Sequence, residues 1–239
     1  MLTHATVNLK KLVKASNKTK RATPAQLQGL ARGVVRVGQG RGFVVKTADG
    51  TGLIITAAHC LTLDKDGRLI LPPPHGTAHF EDLTYPTLVA PLRKAPAIWV
   101  QCLFVNPVAD IAVLGEPDEQ SLFEEWEQYD ALVTNSRAFS VSDAPERGRG
   151  WALAKAAREK WLECELKREG DGLLVVSGLE FSPGMSGSPI LAEDGSAVGV
   201  VSTGSNNQIR YGTPNPRLAR DLPGWLLRAV NLGTLGSRH

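Results

Sequence analysis

No apolar run in this chain approaches the roughly 20 residues needed to cross a bilayer. A secretory signal is also missing, because the stretch from Met1 to Lys20 is basic and has no uninterrupted apolar core. The expected location is therefore cytoplasmic, with secretion the alternative if a signal has been removed. Cysteine is scarce: Cys60, Cys102 and Cys164 are the three, and no Cys-x-x-Cys spacing hints at zinc. A small odd number suggests buried thiols in a reducing compartment, although two could still bond to each other. A strong excess of one charge is lacking as well, since the net charge is only +3. The one basic cluster, Lys10, Lys11, Lys14, Lys18, Lys20 and Arg21, could touch nucleic acid or acidic lipid. No aromatic residue lies within it to stack on bases, so it reads as a solvated, partly helical leader, with no nucleic-acid or membrane partner expected.

What the 239 residues do contain is turn chemistry, with 24 Gly and 15 Pro punctuating short apolar runs. Thr23-Pro24-Ala25-Gln26 is a capping-box start with Pro at the first helical position, and predicts a short helix over 24–32. From Val34 onward the runs are β-rich. Val34–Val37, Gly42–Thr47, Leu53–Thr56, Trp99–Val105 and Ile111–Leu114 read as strands of a first half. Trp161–Lys167, Leu173–Ser177, Pro189–Ala192 and Ala197–Thr203 read as strands of a second. Asp49-Gly50, Asp66-Gly67, Asp171-Gly172 and Asp194-Gly195 are turns, and Pro72-Pro73-Pro74 marks an irregular loop. The Glu-rich residues 115–135 read as a crossing segment between the halves, and Arg217–Val230 as a terminal helix interrupted at Pro223.

Three segments carry chemistry. Leu53–Ala58 is an apolar strand that ends on His59, placing an ionisable ring where the strand leaves the core. Asp110 precedes a second apolar strand. Ser186 sits in Gly184-Met185-Ser186-Gly187-Ser188-Pro189, with glycines on both sides to let the backbone turn. A serine hydroxyl is a poor nucleophile at neutral pH. It needs a base, a carboxylate that holds the base in one tautomer, and amide donors for the oxyanion. The Gly-x-Ser-x-Gly elbow of α/β-hydrolases is not matched, because Ser188 stands where its second glycine would be. His75 and His79 are four residues apart and would share a metal only on a helix, which the flanking prolines oppose, so no metal site is expected.

Thr56-Ala57-Ala58-His59-Cys60, Asp110-Ile111-Ala112-Val113-Leu114 and the Ser186 segment, in that order, resemble the chymotrypsin-like (trypsin-fold) serine peptidases, particularly their disulfide-poor bacterial branch. The resemblance implies an all-β fold of two six-stranded antiparallel β-barrels with short N- and C-terminal helices. It divides the chain into a leader with a short helix (1–32), a first barrel (33–115), a crossing linker (116–135), a second barrel (136–215) and a C-terminal helix and tail (216–239). It implies a serine endopeptidase with His59 as base, Asp110 orienting it, Ser186 as nucleophile and the amides of Gly184 and Ser186 as oxyanion hole. Ser202 would bond near Asp110, while Thr203 and Gly204 would pair with the substrate backbone as an added strand. No cofactor is needed, and the substrate is a peptide or protein.

The chain departs from the secreted members of that family. Cys60 has no disulfide partner upstream, where Gly40–Val45 contains no cysteine. Met185 stands where activated zymogens carry an aspartate, so insertion of a new N-terminus is not the expected switch. Regulation would then come from a protein partner or a loop rearrangement, acting on a bare protease domain. Glu180 and Phe181 fall at the wall of the specificity pocket: an inward Glu180 implies basic substrate side chains, and a space-filling Phe181 small or apolar ones. Two other readings stay open, a latent domain that binds rather than cuts, and an esterase on the same scaffold.

Overall fold

The computed structural model describes residues 21–61, 84–106, 108–117, 122–154, 159–169, 172–176, 182–202, 211–213 and 218–235. The chain enters through α1 (Pro24–Leu30), whose Thr23 hydroxyl accepts from the Gln26 amide while Gln26 Oε1 accepts from the Thr23 amide at 2.8 Å. A single 3₁₀ turn, Ala31–Gly33, then leads into the sheet.

Six strands follow: β1 (Val34–Val37), β2 (Gly40–Lys46), β3 (Gly52–Thr56), β4 (Thr84–Pro91), β5 (Ile98–Asn106) and β6 (Ile111–Gly115). They close into an antiparallel barrel in the order β1-β2-β3-β6-β5-β4, with Arg36 of β1 opposite Ala90 of β4 at the seam. Strands β3 and β6 are buried along their whole length. This is why they read in the sequence as continuous apolar runs rather than alternating ones. Between β2 and β3 the reversal is made by Asp49, whose carboxylate accepts from the Thr51 amide, and by Gly50 at φ +91.

The second half contains β7 (Arg147–Ala154), β8 (Lys160–Glu169), β9 (Gly172–Val176), β10 (Pro189–Ala192), β11 (Ala197–Val200) and β12 (Tyr211–Thr213). They form one six-stranded sheet, ordered β11-β10-β7-β8-β9-β12. The sequence reading expected a second closed barrel; among the described residues the end strands β11 and β12 are not paired with each other. The protein is thus predominantly β, with one closed barrel, one further sheet and few helices.

Phe139 joins the two halves. Its amide donates to Val44 O at 2.8 Å, and its ring packs edge-on against Phe43 of the barrel and Trp161 of the sheet. The crossing segment before it carries a helix, α2 (Phe123–Thr134), which the sequence reading left unassigned. Tyr129 of α2 is buried against the barrel and donates its hydroxyl to Gly52 O at 2.8 Å. Tyr129→Phe leaves that buried carbonyl short of a partner, so the midpoint of urea unfolding should fall by an equivalent of about 1–2 kcal/mol with peptidase activity retained. At the C-terminus α3 (Leu218–Asp221) and α4 (Gly224–Leu235) are separated at Pro223, whose carbonyl accepts from Leu226 and Leu227 and so starts the second helix.

Candidate active site

The register of β3 against β6 brings the first two residues together. Thr56 lies opposite Ala112, so the chain leaving β3 and the chain entering β6 emerge side by side at one end of the barrel. Leaving β3, the backbone makes a 3₁₀ turn, Ala58–Cys60, that carries His59. Entering β6, it passes a tight turn in which Asn106 Oδ1 accepts from the amides of Val108 and Ala109, at 3.1 and 3.0 Å. That turn sets Asp110 at φ +53, a left-handed conformation that aspartate tolerates better than most side chains.

Three donors hold it. The His59 amide donates to Oδ1 at 3.0 Å, the His59 ring pairs through Nδ1 with Oδ2 at 2.8 Å, and the Ser202 hydroxyl donates to Oδ2 as well. Burial alone would push the Asp110 carboxyl up, but hydrogen bonds from His59 and Ser202 outweigh it and hold the group below the usual carboxylate range. The Asp110 hydrogen bond, with the Cys60 thiol beside the ring, pushes His59 up against the opposing effect of burial. The pair therefore stabilises positive charge on the ring. Nε2, on the far side of the ring, is buried and has no hydrogen-bond partner among the described residues.

Ser186 rides on a loop seated on β2. Its carbonyl accepts from the Arg41 amide at 2.7 Å, and the Arg41 carbonyl in turn accepts from the Thr56 hydroxyl at 2.6 Å. The Gly187 amide donates to Val201 O at 2.7 Å, and the Val201 amide donates to Ser188 O at 2.8 Å. Met185 anchors the loop from beneath: it is buried among Ile190, Val198 and Val201, its sulfur accepts from the Ser182 amide, and its own amide donates to Ser182 O. Gly184, at φ +87, turns the backbone ahead of the serine. Among the described residues, neither the Gly184 nor the Ser186 amide has a hydrogen-bond partner, which leaves both available to an incoming oxyanion.

His59, Gly184 and Ser186 line one cleft of about 540 Å³. Ser202 joins the group through Asp110, whereas Glu180, Phe181, Thr203 and Gly204 lie outside the described residues, as do His75 and His79. The sequence reading gave no individual role to Asn106, Thr56 or Arg41. Asn106 was readable as an Asx-turn residue four positions before Asp110, but Thr56 and Arg41 act through cross-strand contacts that leave no local signature. All three cysteines are buried and unpaired. Burial pushes the Cys102 thiol up to about 11 and the Cys164 thiol up to about 12, so both are inert near neutral pH. Among the described residues no helix is long and apolar enough to cross a membrane, and no group of three or more His, Cys, Asp and Glu side chains converges on a metal position.

The fold resembles that of the serine endoprotease from Yersinia pestis, with a TM-score of 0.53 and 14% identity over 87% of this chain and 68% of that one. A human pathogenic astrovirus serine protease aligns with a TM-score of 0.45 and 15% identity over 77% of this chain and 88% of that one. No curated protein matches. The profile of the trypsin-like peptidase domain matches residues 40–200, which span His59, Asp110 and Ser186. With well over half of its length matched, the chain belongs to the trypsin-like peptidase domain family and is a serine endopeptidase.

Proposed function

We propose that His59, Asp110 and Ser186 form a catalytic triad that cleaves peptide bonds through an acyl-enzyme. The observation that carries this reading is the doubly bonded Asp110–His59 pair, with His59 and Ser186 opening onto the same cleft. In the first step His59 Nε2 takes the hydroxyl proton while Ser186 Oγ attacks the carbonyl carbon, and the amides of Gly184 and Ser186 receive the oxyanion. Collapse of the tetrahedral species breaks the C–N bond, and the imidazolium returns its proton to the leaving amine. Water, deprotonated by the same ring, then hydrolyses the ester and restores Ser186.

The acyl half of the substrate lies along Ser202, Thr203 and Gly204 as an added strand, with Glu180 and Phe181 at the wall of the specificity pocket. In this reading the second sheet closes as a barrel over 136–215, paired with the first barrel over 33–115 and joined to it by 116–135. The leader (1–32) and the C-terminal helix (216–239) lie outside the two barrels. The substrate is a protein or peptide, and neither nucleic acid nor membrane takes part. The unpaired thiols of all three cysteines support a reducing, cytoplasmic setting.

One observation favours a second reading. Nε2 of His59 makes no hydrogen bond among the described residues, as in a site that a regulatory protein partner completes. A fluorophosphonate probe separates the two, because only an assembled site phosphonylates its serine. The wild-type chain should gain the mass of one probe, and Ser186→Ala should gain none. Wild-type protein that stays unlabelled while folded sinks the self-sufficient peptidase in favour of the gated one.

A further inference from the structure

The cleft at Ser186 has a cation at its far end. From Gly184, Ser186 and His59 it runs over the β1–β2 turn at Gly38–Gly40 to Arg36 of β1 and Thr87 of β4. Among the described residues its walls come from the first barrel and from the loop that carries Ser186, and Ser202, where the segment after β11 begins, is not one of them. That segment carries the acyl half of the substrate in the triad reading, on which this inference rests for its orientation. The cleft is then left for the other half, the part of the peptide that departs with the amine.

Arg36 is held in place, and among the described residues it is not neutralised. Its Nε donates to Gly38 O at 2.7 Å, and its two Nη groups have no hydrogen-bond partner among the described residues. Among the described residues it has no carboxylate in ion-pair range, and the cleft lining includes no Asp or Glu. Of the other titratable groups around the cleft, Cys60 is a buried thiol, and two are bases. Arg41, its cross-strand partner, is a buried guanidinium bonded to Leu153 O, and His59 stands at the opposite end of the cleft. Elsewhere Arg21, Arg93, Arg147, Arg149 and Arg168 each face a glutamate, whereas Arg36, like Arg32 and Arg137, faces none among the described residues. In β4, whose Ala90 lies opposite Arg36, the register against β5 shifts between Tyr85 and Val89, and Thr87 adopts φ +52. A bulge of this kind at the rim of a barrel re-aims the strand into the cleft, and a strained non-glycine residue there is a shape that folding alone does not call for.

We propose that this cleft binds the leaving-group half of the substrate and that Arg36 selects a carboxylate within it. A planar guanidinium with its Nη1–Nη2 edge free takes a carboxylate in a bidentate pair, which a lysine in the same place would not reproduce. The carboxylate has two possible sources, an Asp or Glu side chain shortly after the scissile bond or the C-terminus of a short leaving fragment.

The test uses quenched fluorescent peptides that share one acyl half. Their leaving halves are neutral and C-terminally amidated, amidated with a single Glu at successive positions, amidated with Lys there, or neutral with a free C-terminus. For the wild-type chain, Glu at one position should raise kcat/KM about fivefold to tenfold over the neutral peptide. If the free C-terminus gives the increase instead, that is the source. Arg36→Gln should bring the acidic-to-neutral ratio to about one, and Arg36→Glu should invert it in favour of Lys. A ratio near one in the wild type, or a preference that survives Arg36→Gln, overturns the proposal. Binding of the labelled leaving-half peptides to the Ser186→Ala chain, with and without Arg36→Gln, reads the same preference without turnover. Loss of probe labelling with acidic selection intact in that binding assay would count against the peptidase reading alone.

Discussion

Asp110→Asn should lower kcat by about 10⁴ while the protein stays folded. The size follows from what the carboxylate does. Its two oxygens accept from the His59 amide, from His59 Nδ1 and from the Ser202 hydroxyl, so nothing at that position donates. An asparagine places an NH₂ against at least one of these donors. The cheapest relief is for the ring to move its proton to Nε2 and accept at Nδ1. An Nε2 that already bears a proton cannot take one from Ser186. The pH dependence should move too. In the proposed triad the neutral ring is the active base, so kcat/KM should rise with pH through the His59 pKa, which in the wild type lies above its ordinary 6.5 chiefly because of the Asp110 hydrogen bond. Without that bond the rising limb shifts to lower pH.

Stability carries the same signature in both directions. The raised His59 contributes stability that is complete below its unfolded value near 6.5 and is lost as pH rises through the folded value. The lowered Asp110 contributes above its ordinary 3.8 and loses its contribution as pH falls. The pair therefore stabilises the fold most between those two pH values. Rate profiles and urea midpoints measured together across this range check both statements. A variant that keeps kcat within tenfold, with its limb unmoved, would remove Asp110 from the mechanism.

The segments that carry the chemistry were the legible ones, and for a physical reason. Strands β3 and β6 are buried on both faces, so each is an unbroken apolar run, and the first polar ring or carboxylate at its end stands out. Strands β1 and β10 were readable over the same residues that the structure assigns, because turn signals bound them closely. Strand β4 was not readable. Pro86 and Pro91 lie within it, and they are tolerated because one sits in the bulge and the other at the strand's end. Strand β7 was hidden by Gly148 and Gly150, which lower strand propensity. Yet a Cβ at Gly150 would lie 2.2 Å from Leu191 O, so the close approach of β10 requires a glycine. Helix α2 lacked a signal at its start, since Leu122 has no side-chain acceptor and the only help comes from Glu125 reaching back to the Leu122 amide. The seating of the nucleophile loop on Arg41 was illegible in kind, because it depends on two backbone groups that any residue possesses.

Gly187→Ala should be severely damaging, because that seating leaves the added methyl no room. Gly187 adopts φ +80, and a Cβ built there lies 1.8 Å from Arg41 O and 2.6 Å from Thr56 Oγ1. Neither neighbour can yield cheaply. The Arg41 carbonyl accepts from Thr56, and the Arg41 amide donates to the Ser186 carbonyl one residue before the new methyl. Relief must come from lifting the loop off β2, which moves Ser186 and the Gly184 amide together. A left-handed alanine costs roughly 1–2 kcal/mol by itself, and forced overpacking adds about 1–3 kcal/mol. The expected loss in urea unfolding is therefore about 2–5 kcal/mol, accompanied by loss of probe labelling. Gly50→Ala supplies the control. Gly50 has a similar φ of +91, but nothing lies within 4 Å of its built Cβ, so it reports the backbone cost alone. The difference between the two variants measures how firmly the nucleophile loop rests on β2. Equal losses would mean that the loop is not seated there, and the bond from the Arg41 amide to the Ser186 carbonyl would have to be given up with it.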